Sequence, residues 1–402
     1  MNLDDVRALE SRHIVPTYKR QPVVFVRGRG ARLYDADGRE YVDLLSGIGV
    51  ASLGHAHPGL AAAISDQAST LLHTSNLYYH PLQGEAATRL AHLSGLPRTF
   101  FCNSGTEAVE ACLKFARRFW FTQGERARTE YVAMEGSFSG RTFGSLSVTH
   151  DEHYREPFMP LLPGVTFVNP GDPAAIRRAV TSRTAAIIAE PIQGEGGVRP
   201  LSAAAVEAIN AACAETGALF IADEVQTGLG RTGVPFYFQA LGLTPDLVSV
   251  GKALGGGVPI GACLCSERVA NAISAGDHGT TYGGNLLACR AAVFFLQQLM
   301  EGGLIDHVNR IAPEFERRLR TLALRHPLIV DVRGAGLMRG LELRVDATPV
   351  IDAARQHGLL VNRTDETVVR MLPPLTIEVA DLDKGLDILD AVLTAVAAEV
   401  HA

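Results

Sequence analysis

The sequence predicts an α/β fold, a mostly parallel sheet flanked by helices, with a smaller α+β unit assembled from both chain ends. Three observations lead there. Short apolar runs at 131–133, 165–168, 185–189, 219–222, 247–250 and 261–265 read as strands. Helical patterns fall between several of them, at 107–120, 174–181 and 203–216, which is the alternation of a sheet covered by helices. The two ends break that rhythm. Residues 23–45 read as an antiparallel meander turning at Asp37-Gly38, and after a long helix at 286–300 the last hundred residues mix helices with short strands. The expected segments are therefore 1–56 and 303–402 for the smaller unit, and 57–302 for the large one.

Size and composition support a large buried core. A 43.0 kDa chain should expose roughly 15,000 Å² when compact. With 47% hydrophobic residues and a net charge of −6, disorder is excluded and a basic nucleic-acid face is not expected. The start, MNLDDVRALESRH, is charged and has no apolar run, so no signal peptide is expected; no stretch reads as a membrane span. A soluble cytoplasmic protein follows as the expectation. The six cysteines (Cys102, Cys112, Cys213, Cys263, Cys265, Cys289) show neither C-x-x-C nor zinc spacing, and read as free thiols with no metal site.

Three segments can carry chemistry. In Asn103-Ser104-Gly105-Thr106-Glu107, Ser104 and Glu107 have capping-box spacing. Val109, Cys112, Leu113, Ala116 and Trp120 then form one apolar helix face, leaving Gly105 and Thr106 at a helix mouth suited to capping or to an anion. In Phe220-Ile221-Ala222-Asp223-Glu224, an apolar strand ends in two acids, either a solvated loop start or a cation holder. In Leu247-Val248-Ser249-Val250-Gly251-Lys252, a strand ends in one lysine between glycines; a lysine sheltered there loses its proton readily and attacks carbonyls. Gly228-Leu-Gly230-Arg-Thr-Gly233 fits G-x-G-x-x-G, but no helix pattern follows it. His55 and His57 read as part of a turn before Pro58 rather than as a metal pair.

Taken together, NSGTEAVEACLKFAR, EGSFSGRTFGSLSVT, AEPIQGEGGV, IADEVQTGLGRTG, VGKALGGGVPIGA and GTTYGGN resemble the class III pyridoxal-phosphate aminotransferases, in order and over nearly the whole chain. The resemblance implies the fold type I architecture, a pyridoxal 5′-phosphate (PLP) cofactor and a homodimer with shared sites. It implies Lys252 as the residue bonded to the cofactor aldehyde and as the proton carrier. Asp223 would face the ring nitrogen, Gln226 the ring hydroxyl, and Phe138 and Val225 the two ring faces. Gly105 and Thr106 would hold the phosphate, with Thr281 reaching the phosphate in the partner subunit. Arg141 would bind the carboxylate of an ω-amino donor such as N-acetylornithine, and Arg370 that of glutamate or 2-oxoglutarate, with Glu195 pairing with Arg370 while the donor is bound.

Ser139, Leu286 and Ile48 depart from the family pattern. An apolar Ile48 suits an acylated donor amine better than the charged one of ornithine, which tilts the reading toward N-acetylornithine; ornithine, succinylornithine, 4-aminobutyrate or N-succinyl-diaminopimelate are the alternative donors. An aminomutase or decarboxylase within the same cofactor chemistry is the further alternative.

Overall fold

Seven strands form the central sheet of the computed structural model, which describes residues 2–400, with side chains through 398. Met1 of the expected 1–56 segment and the last two residues of 303–402 lie outside the described residues. The spatial order is Arg98–Cys102, Gly261–Cys265, Leu247–Val250, Leu219–Asp223, Thr184–Ala189, Glu130–Met134 and Val165–Val168. Only Gly261–Cys265 runs against its neighbours, so the sheet is mostly parallel as expected. The strand Arg98–Cys102 was not anticipated: its five residues follow Pro97 and show no alternation. Strands covered on both faces read as unbroken apolar runs, and Leu219–Asp223 and Thr184–Ala189 are buried at every position.

The helix bounds shift slightly. The 107–120 helix starts earlier, as Gly105–Thr122, and the 174–181 helix is the shorter Pro173–Ala179, begun by Pro173 behind an Asp172 cap. Ala203–Thr216 and Leu286–Met300 lie where expected. On Gly105–Thr122 the face Val109, Cys112, Leu113, Ala116 and Trp120 is buried against the sheet. The capping box is only half made. Ser104 Oγ accepts the Glu107 N–H (3.3 Å), but the Glu107 carboxylate reaches past the cap to the N–H of Asn103 (2.6 Å).

The N-terminal meander forms as Phe25–Arg29, Arg32–Asp35 and Glu40–Asp43, with Gly38 at φ 84° in the turn. Its last strand takes Leu359–Leu360 as a parallel neighbour, so the two ends of the chain share one sheet. A second four-stranded sheet carries Ile329–Ala335, Met338–Leu343, Val368–Met371 and Asn362–Thr364. It is stitched to the meander by Leu372 N–H to Leu44 O (2.7 Å) and Leu375 N–H to Ser52 O (2.7 Å). Arg231, from the glycine-rich segment that fits G-x-G-x-x-G, is buried and donates to the carbonyls of Leu337 and Pro373 and to Ser52 Oγ. With no acid beside it, burial pushes its guanidinium down to about 9.

His57 accepts the Leu60 N–H at the start of Pro58–Thr70, while His55 Nε2 meets Asp43 Oδ2 at 2.7 Å. All six cysteines are free thiols, and Cys213 alone is not fully buried.

Phe295, at 0% exposure on Leu286–Met300, belongs to the largest apolar cluster. Phe295→Ala should cost about 3–5 kcal/mol, read as a lower urea midpoint at fixed protein concentration.

Candidate active site

The parallel strands end at one edge of the sheet, and their next residues meet there. Gly105 follows Arg98–Cys102, Phe138 follows Glu130–Met134, and Glu190 follows Thr184–Ala189. Asp223 closes its own strand, and Lys252 follows Leu247–Val250. Ligand crevices of open α/β sheets lie at this carboxyl edge. Gly105, Thr106, Phe138, Arg141, Asp223, Val225, Gln226 and Lys252 line one cavity of about 280 Å³, together with Ser139, Gly140 and Glu190. That volume lies at the small end of ligand cavities and suits one substituted ring. A wider recess of about 900 Å³ shares Phe138 and holds Tyr154, Glu195 and Thr364.

Close backbone approach explains the glycines around the lysine. A Cβ on Gly251 would meet Gly105 Cα at 3.0 Å, and one on Gly105 would meet Val225 Cγ1 at 2.6 Å. Lys252 itself sits at φ 40°, a conformation a side-chain-bearing residue adopts at a cost of about 1–3 kcal/mol. The first amides of Gly105–Thr122 have no intrahelical acceptor, and no hydrogen bond among the described residues uses the N–H of Gly105 or Thr106.

The charges are arranged by burial. Burial pushes the Lys252 amine down, against the opposing pull of Glu195, Asp223 and Glu190. Asp223 Oδ1 accepts from Ser249 Oγ (2.9 Å) and the Val225 N–H (3.3 Å), and burial raises its carboxyl. Burial, with the charge of Asp223 added, pushes Glu190 up to about 8. Glu190 spans two walls: Oε1 accepts the Phe138 N–H and Oε2 the Gly194 N–H, both at 2.9 Å.

Glu224 settles the choice left open by the sequence. Neither acid is solvated. Asp223 lines the cavity, while Glu224 turns away to accept from Thr227 Oγ (2.5 Å) and the Phe238 N–H (2.7 Å).

Arg370 is fully buried on Val368–Met371. Its Nη1 donates to Glu195 Oε1 (2.6 Å) and Gln226 Oε1 (3.0 Å), and its Nε to Asn362 Oδ1 (3.1 Å). Its Nη2 is buried without an acceptor. Burial would raise Glu195, but the charge and hydrogen bond of Arg370 outweigh it and hold that carboxylate below its ordinary range. Thr364 Oγ donates to the carbonyls of Gly194 and Glu195. Arg141, at the cavity mouth, lies over the Tyr154 ring (3.6 Å) and pairs with no carboxylate of the described residues.

Thr281 is exposed on a turn and does not line the cavity, and Ile48 is exposed at φ 63°. Leu286 is the first residue of its helix, where a proline would also fit, and Asn285 caps it. Ser139 is buried against the site, its N–H donated to Thr149 Oγ. Sequence reasoning missed Glu190, Ser249, Tyr154, Asn362 and Thr364. Glu190 follows an apolar strand just as Asp223 ends one, so the same signal was present.

The profile of the family Aminotransferase class-III matches residues 14–393. The chain is 44% identical to the acetylornithine aminotransferase of Methanocaldococcus jannaschii over 96% of this chain and 97% of that one. Two solved structures share the fold. One is an ornithine aminotransferase from Toxoplasma gondii with partial occupancy of PLP at its active site (TM-score 0.94, 32% identity, 99% of this chain and 96% of that). The other is an acetylornithine aminotransferase from Elizabethkingia anophelis (TM-score 0.87, 30% identity, 98% and 100%).

Glu224 yields a pH prediction. Burial raises its carboxyl from 4.5 to about 7. The folded chain therefore holds this proton longer than the unfolded chain, and stability falls as pH rises through that window, by on the order of 3 kcal/mol. Glu224→Gln should flatten the melting temperature between pH 5 and 8 relative to the parent. Parallel profiles would show that Glu224 is ionised at little cost.

Proposed function

We infer the reaction from the family, for this chain belongs to the class III aminotransferases. It moves the δ-amino group of N2-acetyl-L-ornithine to 2-oxoglutarate, giving N-acetylglutamate semialdehyde and glutamate, as arginine biosynthesis requires. The cofactor of the family is PLP, and the residues present fit it. Gly105 and Thr106, whose N–H groups have no acceptor among the described residues, would hold its phosphate at the helix mouth. A buried carboxylate, Asp223, would be available for its ring nitrogen, and the half-buried Lys252 amine for its aldehyde.

When bound, PLP supplies an aldehyde that exchanges amines and a ring that takes up the electrons left by a departing proton. The side chains do the rest. Asp223, held by Ser249 Oγ and the Val225 N–H, would pair with the ring nitrogen and favour a proton there. Gln226 would meet the ring hydroxyl, and Phe138 and Val225 would lie against the two ring faces. Lys252, whose amine desolvation pushes down, would hold the aldehyde and would carry a proton at its Nζ. Thr281 is exposed in one chain, which suits a reach to the phosphate of a second subunit.

The observation that carries the donor assignment is the Arg370–Glu195 pair. While it is closed, Arg141 is the guanidinium left for a carboxylate, and it stands at the mouth. A donor held there by its α-carboxylate presents its far amine to Lys252. When 2-oxoglutarate binds, Glu195 yields Arg370, whose orphan Nη2 and freed Nη1 form a two-pronged site near Lys252. One cavity thus serves an ω-amine and an α-keto acid in alternation.

A homodimer is supported by surface. The chain exposes 18,039 Å², well above the roughly 15,000 Å² of a compact monomer of its mass. Leu71, Leu72, Leu77, Tyr78, Tyr79 and Tyr282 lie bare on it. The smaller unit of 1–56 with 303–402, and a cytoplasmic location, complete the reading.

Purified protein reconstituted with PLP should show a visible band that bleaches with N2-acetylornithine faster than with ornithine or 4-aminobutyrate. Lys252→Ala should abolish transamination. Equal bleaching by all donors would overturn the donor assignment. Glu195→Ala should raise the glutamate half-reaction relative to the donor half-reaction by about tenfold, since Arg370 is then permanently open. An unchanged ratio in stopped-flow measurements would refute the switch.

A further inference from the structure

The side chain that must read the donor carboxylate is poorly placed to do so alone. Arg141 is exposed, long and without an acidic partner, and a free arginine gives up about 2 kcal/mol of rotamer entropy when fixed. Its guanidinium is nevertheless held. It lies 3.6 Å from the ring centroid of Tyr154 and 5.5 Å from that of Phe138. The two rings meet edge to face, at 82° and 6.4 Å. Such stacking occupies the flat face of the guanidinium and leaves its N–H edge open for a carboxylate.

Tyr154 is itself seated on a fixed base. The short helix Glu152–Arg155 is begun by Asp151, whose Oδ1 accepts the His153 N–H (2.9 Å) and whose carbonyl accepts the Tyr154 N–H (3.2 Å). The His150 N–H donates to Ser137 O (2.9 Å), tying this segment to the residue before Phe138. Arg155 packs over Phe167 at 4.6 Å. The ring under Arg141 is therefore registered to the strand end that also carries Phe138.

We propose that Tyr154 is a positioning residue for substrate carboxylates: it stacks beneath Arg141 and presets the fork that selects donors bearing an α-carboxylate. The proposal rests on the reading of Arg141 as the donor-carboxylate site and deepens it. Tyr154 touches no reacting atom. Its effect is confined to binding, because the orientation of Arg141 is the same in ground and transition states.

The test is a KM-against-kcat split on the holoenzyme with two donors. One is N2-acetylornithine, and the other N-acetyl-1,4-diaminobutane, which is the same molecule with hydrogen in place of the carboxylate. Tyr154→Leu should raise KM for N2-acetylornithine about five- to thirtyfold, with kcat within about twofold, and leave KM for the carboxylate-free donor unchanged. Tyr154→Phe, which keeps the ring, should restore the parent value. Calorimetric binding of N2-acetyl-L-norvaline, the donor with hydrogen in place of its δ-amine and so unable to react, should weaken in Tyr154→Leu and not in Tyr154→Phe. Tyr154→Met provides a ringless variant should leucine fail to fold. Arg141→Gln separates the two layers. If it raises KM for N2-acetylornithine while the ringless Tyr154 variants do not, the positioning role is overturned and the Arg141 reading stands. If Arg141→Gln leaves that KM unchanged, the Arg141 reading fails and the positioning role with it. An equal rise for both donors in Tyr154→Leu marks a general distortion and also overturns the proposal.

Discussion

Lys252 occupies a backbone conformation that residues with a side chain avoid, inside a cavity that also refuses its charge. Neither condition arises from local preference, so both must be imposed by what surrounds the lysine. The imposition comes from backbone contact. Gly251 packs against Gly105 so closely that a Cβ would touch the neighbouring Cα, and Gly261 lies against the carbonyl of Ser104. Three strand ends and one helix start are thereby locked into a single corner. The orphan amides of that helix, the Asp223 carboxylate and the lysine amine keep fixed relative positions because backbone, not side-chain packing, sets them.

Charge in that corner is distributed by pairing. Three carboxyl groups, the Lys252 amine and the Arg370 guanidinium share the inner site. Arg370 neutralises Glu195, and Asp223 keeps hydroxyl and amide donors around one oxygen. Glu190 is left with two backbone N–H groups and a raised affinity for its proton. Glu190 gains importance from position as well. Its two oxygens join the segment bearing Phe138 to the segment bearing Glu195, so the ring wall and the gate cannot move independently. Gln226 makes the parallel link on the other side, accepting from Arg370 while lining the cofactor cavity.

What the sequence displays and what it hides follow from the range of each interaction. Strand ends in a parallel sheet are legible because burial on both faces writes an apolar run, and an ionisable residue at its end stands out. Asp223 and Lys252 are visible for that reason, and Glu190 carries the same signal. Arg370 has no such signature. It sits in a short strand of the second sheet, 118 residues beyond Lys252 in the chain, and only the family resemblance pointed to it. Tyr154, Asn362 and Thr364 act through contacts between segments far apart in sequence, which no local pattern encodes. The helix mouth shows a subtler failure: capping-box spacing located the start, yet Glu107 bonds Asn103 instead of closing the box on Ser104.

The two arginines owe their different behaviour to where the fold leaves them. Arg370 is anchored on three sides by Glu195, Gln226 and Asn362, and of these partners Glu195 alone is charged, with a partly exposed side chain. Glu195 belongs to Gly194-Glu195-Gly196-Gly197, whose backbone is fastened by Thr364 and Glu190 while its side chain remains partly exposed to the wider recess. A fixed backbone with a free carboxylate can swing one side chain without moving a domain. Arg141 needs no such gate, since it faces the mouth unpaired, and a stacked aromatic supplies the order that an ion pair supplies for Arg370. On the proposed reading, alternating substrates would be handled by one anchored guanidinium that is switched and one exposed guanidinium that is propped.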